Sequence, residues 1–489
     1  MVDYSVKDAT FYGEAAMRAD EYVRHDGVGL ADLVRSGQVS PVELQQAAQS
    51  VLDAVNGRIN AVVTGDLHVS PGPSGAPDEA AFSGVPLLAK DNHPCAGLPA
   101  RHGSAFRSAT PEAGDHPVVG RLRAAGANPV GMTNMPEAGL LATTQPALYG
   151  ACRNPWDLGR TAGGSSGGSA AAVIAGIAPI ATGSDGGGSI RIPASACGVF
   201  GLKPSRGRTP GIGWGGLVVN HVLTRSVRDS AVALDLLSRA GPDAPNLVSA
   251  PSRPFATAVT AEPGRLRIAF SVAPPDGFEL HCDVVAAVRH AAQLLESLGH
   301  DVAEDHLDVT AGPLAAVTER LEDLVPVATA ARVQTWAEES GSELTETGVE
   351  PLTWRYIERG RAVSGPAFAV LLDALPRFAE AAAPFFARYD LWLLPTTAEP
   401  PPPLDCWNFA APTLDDALTR MTRYVPGFVT SLANITGQPA ASVPFTASAE
   451  GLPVGVQLVA RHYREDLLLG VAGQIERARP WPVRAPVTP

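Results

Sequence analysis

Two serines set among glycines, and one lysine, are the residues of this chain best placed to do chemistry. Ser165 lies in Gly163-Gly164-Ser165-Ser166-Gly167-Gly168-Ser169, and Ser189 in Asp185-Gly186-Gly187-Gly188-Ser189-Ile190-Arg191-Ile192-Pro193. Flanking glycines open backbone angles closed to other residues. They also let a substrate approach the main chain, where N–H groups can face an oxyanion. A serine hydroxyl is a poor nucleophile unless something accepts its proton, and neither segment holds a histidine. Lys90 closes the apolar run Val85-Pro86-Leu87-Leu88-Ala89, where desolvation would lower its pKa and make the neutral amine accessible. Taken singly, each signal has a plain reading. GGSSGG suits a linker, Asp before glycines suits a turn, and a lysine at a strand end is commonly a surface residue. A phosphate loop is disfavoured because no Gly-Lys-Ser/Thr follows. The order of the segments, and the uncharged stretch between them, argue for a built site.

The elements that must position these residues follow from periodicity and punctuation. Residues 85–89 predict a buried strand with Lys90 at its C-terminal end, 118–125 a helix and 129–132 the next strand. Residues 169–181, small and without charge, predict a helix buried all round. Ser40, Pro41 and Glu43 form a capping-box signature for a helix that Asn56-Gly57 would stop, and a polar Gly/Pro/Ser loop follows over 70–78. Residues 265–270 read as a strand, 283–298 as an amphipathic helix closed by Gly299, and 301–303 as a strand. The more polar stretch 307–388 is helical in pattern and suits a cover over a site. Residues 391–394 read as a strand running into Pro395 and Pro400–Pro403. Residues 440–445 and 454–460 read as paired strands, and 465–478 as a closing helix.

The alternation predicts the α/β class. The expected form is a single-domain α/β/α sandwich, with a large twisted mixed, mostly parallel central sheet covered by helices on both faces. One domain over 1–489 would comprise an N-terminal helical segment (1–60), a core (61–260), a helical substrate-covering region (305–390) and a C-terminal part of the same sheet (390–480).

The 489 residues, 45% hydrophobic, are ample for a large core. A formal net charge of -13 argues against nucleic acid or an anionic membrane surface as partner. Five cysteines with no C-x-x-C pair point to a reducing compartment. With no signal-peptide pattern at the N-terminus and no long apolar run, the expectation is cytoplasmic. No metal or cofactor is expected, since neither an H-E-x-x-H nor a Cys/His cluster occurs.

Together these motifs resemble the amidase signature family. The likeness rests on Lys90-Asp91-Asn92, Gly163–Gly168, Asp185–Pro193, Gly198-Val199-Phe200-Gly201-Leu202-Lys203-Pro204, Thr224–Asp229, Gly437–Ala440 and Gly451–Gln457, and spans roughly 28–240 and 390–480. Within the family, Arg153-Asn154-Pro155-Trp156 and Arg464–Leu469 are similar to the 6-aminohexanoate cyclic dimer hydrolase type, with bacterial urethanases as neighbours. The resemblance implies a Ser–cis-Ser–Lys triad: Ser189 as nucleophile, Ser165 as the serine on a cis peptide, Lys90 as base. It implies an oxyanion hole from the N–H groups of Gly186, Gly187, Gly188 and Ser189, and an acyl-enzyme that water releases. Asp185 and Arg191 are expected to shape the loop. Relatives are often dimers, which leaves a homodimer open. Three departures stand out: Gly131-Met132-Thr133-Asn134 stands where the family often has Gly-Lys-Thr-Asn, Gly186 is often larger in relatives, and residues 321–328 lack the cysteine that lies near the substrate in the cyclic-dimer type.

The substrate expected is a small, largely apolar or aromatic amide, with carbamates and esters served by the same acyl chemistry. The candidate pocket residues are Met135, Gly163, Gly164, Ile190, Arg208 and Trp214, with Trp407 and Phe409 as a possible cap. Trp214 suits a pocket wall or core packing equally, and Arg206 and Arg208 suit a polar substrate group or solvent. The alternatives are a glutamine-hydrolysing subunit of a tRNA amidotransferase and a non-catalytic binding protein of the same fold.

Overall fold

The computed structural model describes residues 17–64, 67, 80–211, 213–239, 241, 248, 251–272, 279–308, 323–426 and 429–487. Its strands, in chain order, are β1 (Pro86–Lys90), β2 (Asn128–Thr133), β3 (Arg153–Asn154), β4 (Asp157–Thr161), β5 (Ile180–Asp185), β6 (Phe200–Lys203), β7 (Val219–Thr224), β8 (Arg267–Phe270), β9 (Asp301–Glu304), β10 (Leu391–Pro395), β11 (Ala440–Ala447) and β12 (Pro453–Ala460). Ten of them form one sheet in the order β2-β1-β5-β7-β6-β11-β12-β10-β8-β9, while β3 and β4 form a separate hairpin.

The sheet is mixed, but the expected predominance of parallel pairing holds only at its two ends. There β1 pairs in parallel with β2 and β5, and β8 with β9 and β10. The five pairings across the middle are antiparallel. Two strands not foreseen from the sequence, β6 and β7, take part in three of these five pairings. They are short and buried throughout, so they carry no alternation to announce them.

Both faces of the sheet are covered, as the side-chain alternation shows. Leu391 and Leu393 join one core cluster with Val456, Leu458 and the helices Val227–Leu237, Cys282–Ser297 and Glu465–Ala478. Trp392 and Leu394, pointing the other way, join a second cluster with Val459 and the helix Gly365–Arg388. A period of two puts successive strand residues on opposite faces, so a strand buried on both sides reads as a continuous apolar run.

Several helix boundaries moved. The capping box at Ser40 is present, but its helix runs past Asn56-Gly57 to Ile59 and ends at Asn60 in the left-handed region (φ 50°). The uncharged helix is shorter than expected, Gly167–Ala175, and ends on Gly176 (φ 87°). The remaining apolar residues to Asp185 turn back as β5, which is central to the site. The polar cover is helical at Leu324–Ser340, Pro351–Ala362 and Gly365–Arg388, while 309–322 and the whole 70–78 loop lie outside the described residues. Among the described residues no single helix is long and apolar enough to cross a membrane.

Candidate active site

Three neighbouring strands run parallel and end at one edge of the sheet: β2, β1 and β5. The crevice beyond the C-terminal ends of such strands is where α/β folds bind ligands. Lys90 ends β1, Asn134 and Met135 follow β2, and Gly186–Ser189 follow β5. Ser165 lies just before the helix Gly167–Ala175, and the two serine loops are tied directly, Ser166 N donating to Ser189 O at 3.2 Å.

Lys90 is fully buried. Its Nζ donates to Ser165 Oγ at 2.8 Å and to Ser184 Oγ at 2.9 Å, and its backbone N–H donates to Thr182 Oγ1. Asn92 Nδ2 also reaches Ser184 Oγ. Desolvation lowers the Lys90 pKa to about 7, against the pull of Asp185 and with help from Arg332 on the cover. An amine with that pKa, hydrogen-bonded to a hydroxyl, can act as a general base near neutrality.

The Gly164–Ser165 peptide bond is cis. A side chain at Gly164 would lie 2.6 Å from Leu141 O and 2.7 Å from both Thr143 N and Thr143 O, so residues 141–143 close directly over this bond. One at Gly163 (φ 75°) would lie 2.7 Å from Pro193 Cα. These two glycines thus allow the chain to pack, rather than only leaving room for a ligand. Met135, fully buried, does reach the site: its Cε and Ser165 Oγ are each 3.4 Å from where a Gly139 side chain would begin.

Ser189 is partly exposed, unlike Ser165 and Lys90. Its loop is set by a buried ion pair. The Arg191 guanidinium donates to both Asp185 oxygens at 2.9 Å, and to Thr430 O, Gln457 Oε1 and Asn434 Oδ1. The nearby Arg191 and Lys203 charges hold the Asp185 carboxyl well below the usual range despite its burial. Asp185 also accepts from Gly188 N at 2.7 Å and Ile190 N at 3.2 Å. Asp185 and Arg191 therefore shape the loop, as expected. The Gly188 amide, expected in the oxyanion hole, is instead committed to Asp185. Among the described residues, the amides of Gly186, Gly187 and Ser189 donate to no protein acceptor.

Two of the pocket candidates, Arg208 and Ile190, do not come to this site as expected. Arg208 is buried against Glu465, with Nε 3.3 Å from Oε1, and lies over the rings of Phe255 and Tyr463. Its charge is committed to the fold, because a buried guanidinium needs a counter-ion. Arg206 likewise donates to Gly216 O, Asn434 O and Ile435 O. Ile190 points into the main core with Ala194 and Val222. The side chain of Trp214 lies outside the described residues, although its loop packs on the cover: a Gly215 side chain would meet Leu372. Sequence reasoning missed Thr182 and Ser184. Their alternate spacing on the strand leading to Ser189 was the available signal. It also missed Asn434, which donates to Asp185 O and Leu217 O from 249 and 217 residues away.

The amidase family model matches residues 54–469. The chain belongs to the amidase signature family. It is 38% identical over 491 residues to the 6-aminohexanoate-cyclic-dimer hydrolase of Paenarthrobacter ureafaciens, covering 94% of this chain and 96% of the relative. Against the enzyme of that name from Pseudomonas sp. (strain NK87) the identity is 39%, with the same coverage. The solved structure of 6-aminohexanoate cyclic dimer hydrolase complexed with substrate superposes with a TM-score of 0.85 at 35% identity, over 95% of this chain and 99% of that one. A bacterial aryl acylamidase shares the fold, with a TM-score of 0.80 at 24% identity over 94% and 96% of the two chains. This amidase accordingly hydrolyses amide C–N bonds outside peptides, with a small-molecule amide as substrate.

Proposed function

We propose that this amidase works through a Ser189–Ser165–Lys90 relay and an acyl-enzyme. The observation that carries the reading is the buried Lys90 Nζ, held 2.8 Å from Ser165 Oγ with its pKa lowered to about 7. Neutral Lys90 takes the proton of Ser165 as Ser165 takes that of Ser189. The Ser189 oxygen attacks the amide carbonyl, and the negative charge that develops rests on the Gly186, Gly187 and Ser189 amides. The proton returns through Ser165 to the departing amine as the C–N bond breaks. Water, deprotonated by the same relay, then cleaves the ester and frees the acid and Ser189.

The substrate class we propose is small, largely apolar or aromatic amides, extending to carbamates and esters. The residues that close over Ser165 support it, since Leu140 and Leu141 pack with Leu352, Tyr356, Phe409 and Leu414 in one apolar cluster. The test is turnover of a nitroanilide, a nitrophenyl carbamate, a nitrophenyl ester and glutamine by wild type, Lys90→Ala and Ser189→Ala. Turnover by wild type that both variants lose is expected, with glutamine the poorest member. Turnover surviving in Ser189→Ala would overturn the relay.

A further inference from the structure

The cover meets the catalytic edge of the sheet at one loop, residues 135–141, which follows β2. Polar and apolar contacts seat it there. Glu350 N, at the start of the helix Pro351–Ala362, donates to Glu137 Oε2 at 2.7 Å, and Ala147 N donates to Glu350 Oε1 at 2.7 Å. Ala138 packs with Val333, Trp336 and Ile357. Arg332, beside Val333 on the helix Leu324–Ser340, donates from Nη1 to Ala138 O at 3.3 Å.

The residue that Arg332 holds is tied to both ends of the Lys90–Ser165 pair. Gly139 follows Ala138, and a side chain there would begin 3.4 Å from Ser165 Oγ. On the other side, Ala138 N donates to His102 O at 2.9 Å, and His102 N donates to Asp91 O at 3.1 Å. Asp91 is the residue after Lys90. Ala138 itself lies in the left-handed region (φ 53°), a conformation that persists in a residue with a side chain only where its surroundings hold it.

The guanidinium also brings charge. Desolvation lowers the Arg332 pKa, yet an arginine remains a cation. Its charge adds to desolvation in lowering the pKa of Lys90 and of His102, because a like charge nearby disfavours the protonated amine. The other titratable groups around Lys90 do not supply this effect near neutrality. Burial pushes His93 and His102 well below the ordinary histidine range and so keeps them neutral. Asp185 pulls the Lys90 pKa the other way and is paired with Arg191.

We infer that Arg332 is a positioning residue of the relay: anchored on Ala138 O, it fixes the loop against Ser165 and keeps Lys90 in the neutral form that accepts the proton. Seating of the cover is then what completes the base. This inference rests on the relay proposed above and deepens it.

The test is the pH profile of kcat/KM on the nitroanilide for wild type, Arg332→Gln and Arg332→Lys. Glutamine keeps a donor for Ala138 O and removes the charge, whereas lysine keeps both. Without the charge Lys90 protonates more readily. The acid limb of Arg332→Gln should therefore move up from about 7 by about one pH unit, the effect of one nearby charge in a partly screened interior. Below the limb its kcat/KM should be about tenfold under wild type, with most of that loss recovered above it. Arg332→Lys should keep the limb near the wild-type position. A limb that stays in place in Arg332→Gln, whether or not the plateau falls, would make Arg332 a structural tie only and overturn the inference. So would a limb that moves as far in Arg332→Lys. Arg332→Met gives the same reading should Arg332→Gln fail to fold. Turnover that survives in Lys90→Met would instead sink the relay beneath the inference, wherever the limb of Arg332→Gln lies.

Discussion

Lys90 and Lys203 end two different strands, are both fully buried, and both have the pKa lowered to about 7 by desolvation. Their surroundings differ in kind. Lys90 Nζ meets two hydroxyls, those of Ser165 and Ser184. Lys203 Nζ meets the carbonyl of Pro204 at 2.9 Å, and feels the charges of Arg191 and Arg206, which lower its pKa further, and those of Asp185 and Glu465, which oppose them. A hydroxyl can hand a proton to a neutral amine, whereas a carbonyl has none to give. A perturbed pKa therefore marks both lysines as unusual, and only the partner separates the proposed base from a structural cation.

The sharpest way to break this comparison is to remove each amine with its length kept. Lys90→Met should lower kcat/KM on the nitroanilide by about 10⁴-fold or more, as loss of one member of a catalytic unit does, with little loss of urea stability. Lys203→Met should retain far more turnover and show its effect in the urea midpoint. Equal loss of activity in both variants would remove the distinction.

Next in size is the ion pair that lies between them. Asp185→Asn leaves the buried Arg191 without its counter-ion, and should destabilise the fold by about 3–5 kcal/mol, read by urea denaturation. An unchanged midpoint would show that Asn434 and Gln457 suffice to hold Arg191.

The pH profile sharpens the comparison without mutation. The neutral form of Lys90 is the competent one, so kcat/KM should fall as pH drops through about 7 and level off above it. The profile of Lys203→Met should keep its acid limb near the same place. An acid limb that moved with Lys203 would make that lysine the titrating base.

The smallest effect is expected at Ser184. Ser184→Ala removes one of the two hydroxyls on Lys90 Nζ, and should cost about 5- to 30-fold in kcat/KM, the worth of about 1–2 kcal/mol for such a bond. Loss as deep as that of Lys90→Met would place Ser184 in the relay itself.

Much of the site was legible along the chain. Lys90 closes an apolar run, the serines sit among glycines, and Asp185 stands six residues before Arg191, close enough to form the pair that shapes their loop. The strand β5 was partly hidden because its apolar start continues the composition of the preceding helix. Arg206 and Arg208 were misplaced because a solvated and a buried arginine look alike in sequence. Their partners, Asn434 and Glu465, stand more than two hundred residues away.

By itself, then, the sequence determined the chemistry offered: a lysine at a strand end, two serines in glycine-rich turns, and helices and strands enough to bring them together. Those features are local, because propensity, capping and glycine freedom act within a few residues. The tertiary structure alone decided which groups meet. It put Lys90 against Ser165 and Ser184 and Lys203 against a carbonyl. It spent the Gly188 amide on Asp185, and among the described residues left Trp407 Nε1 and the Tyr424 hydroxyl without a hydrogen-bond partner. Burial, hydrogen bonding and Coulomb interaction act across space, and only the folded sheet sets those distances.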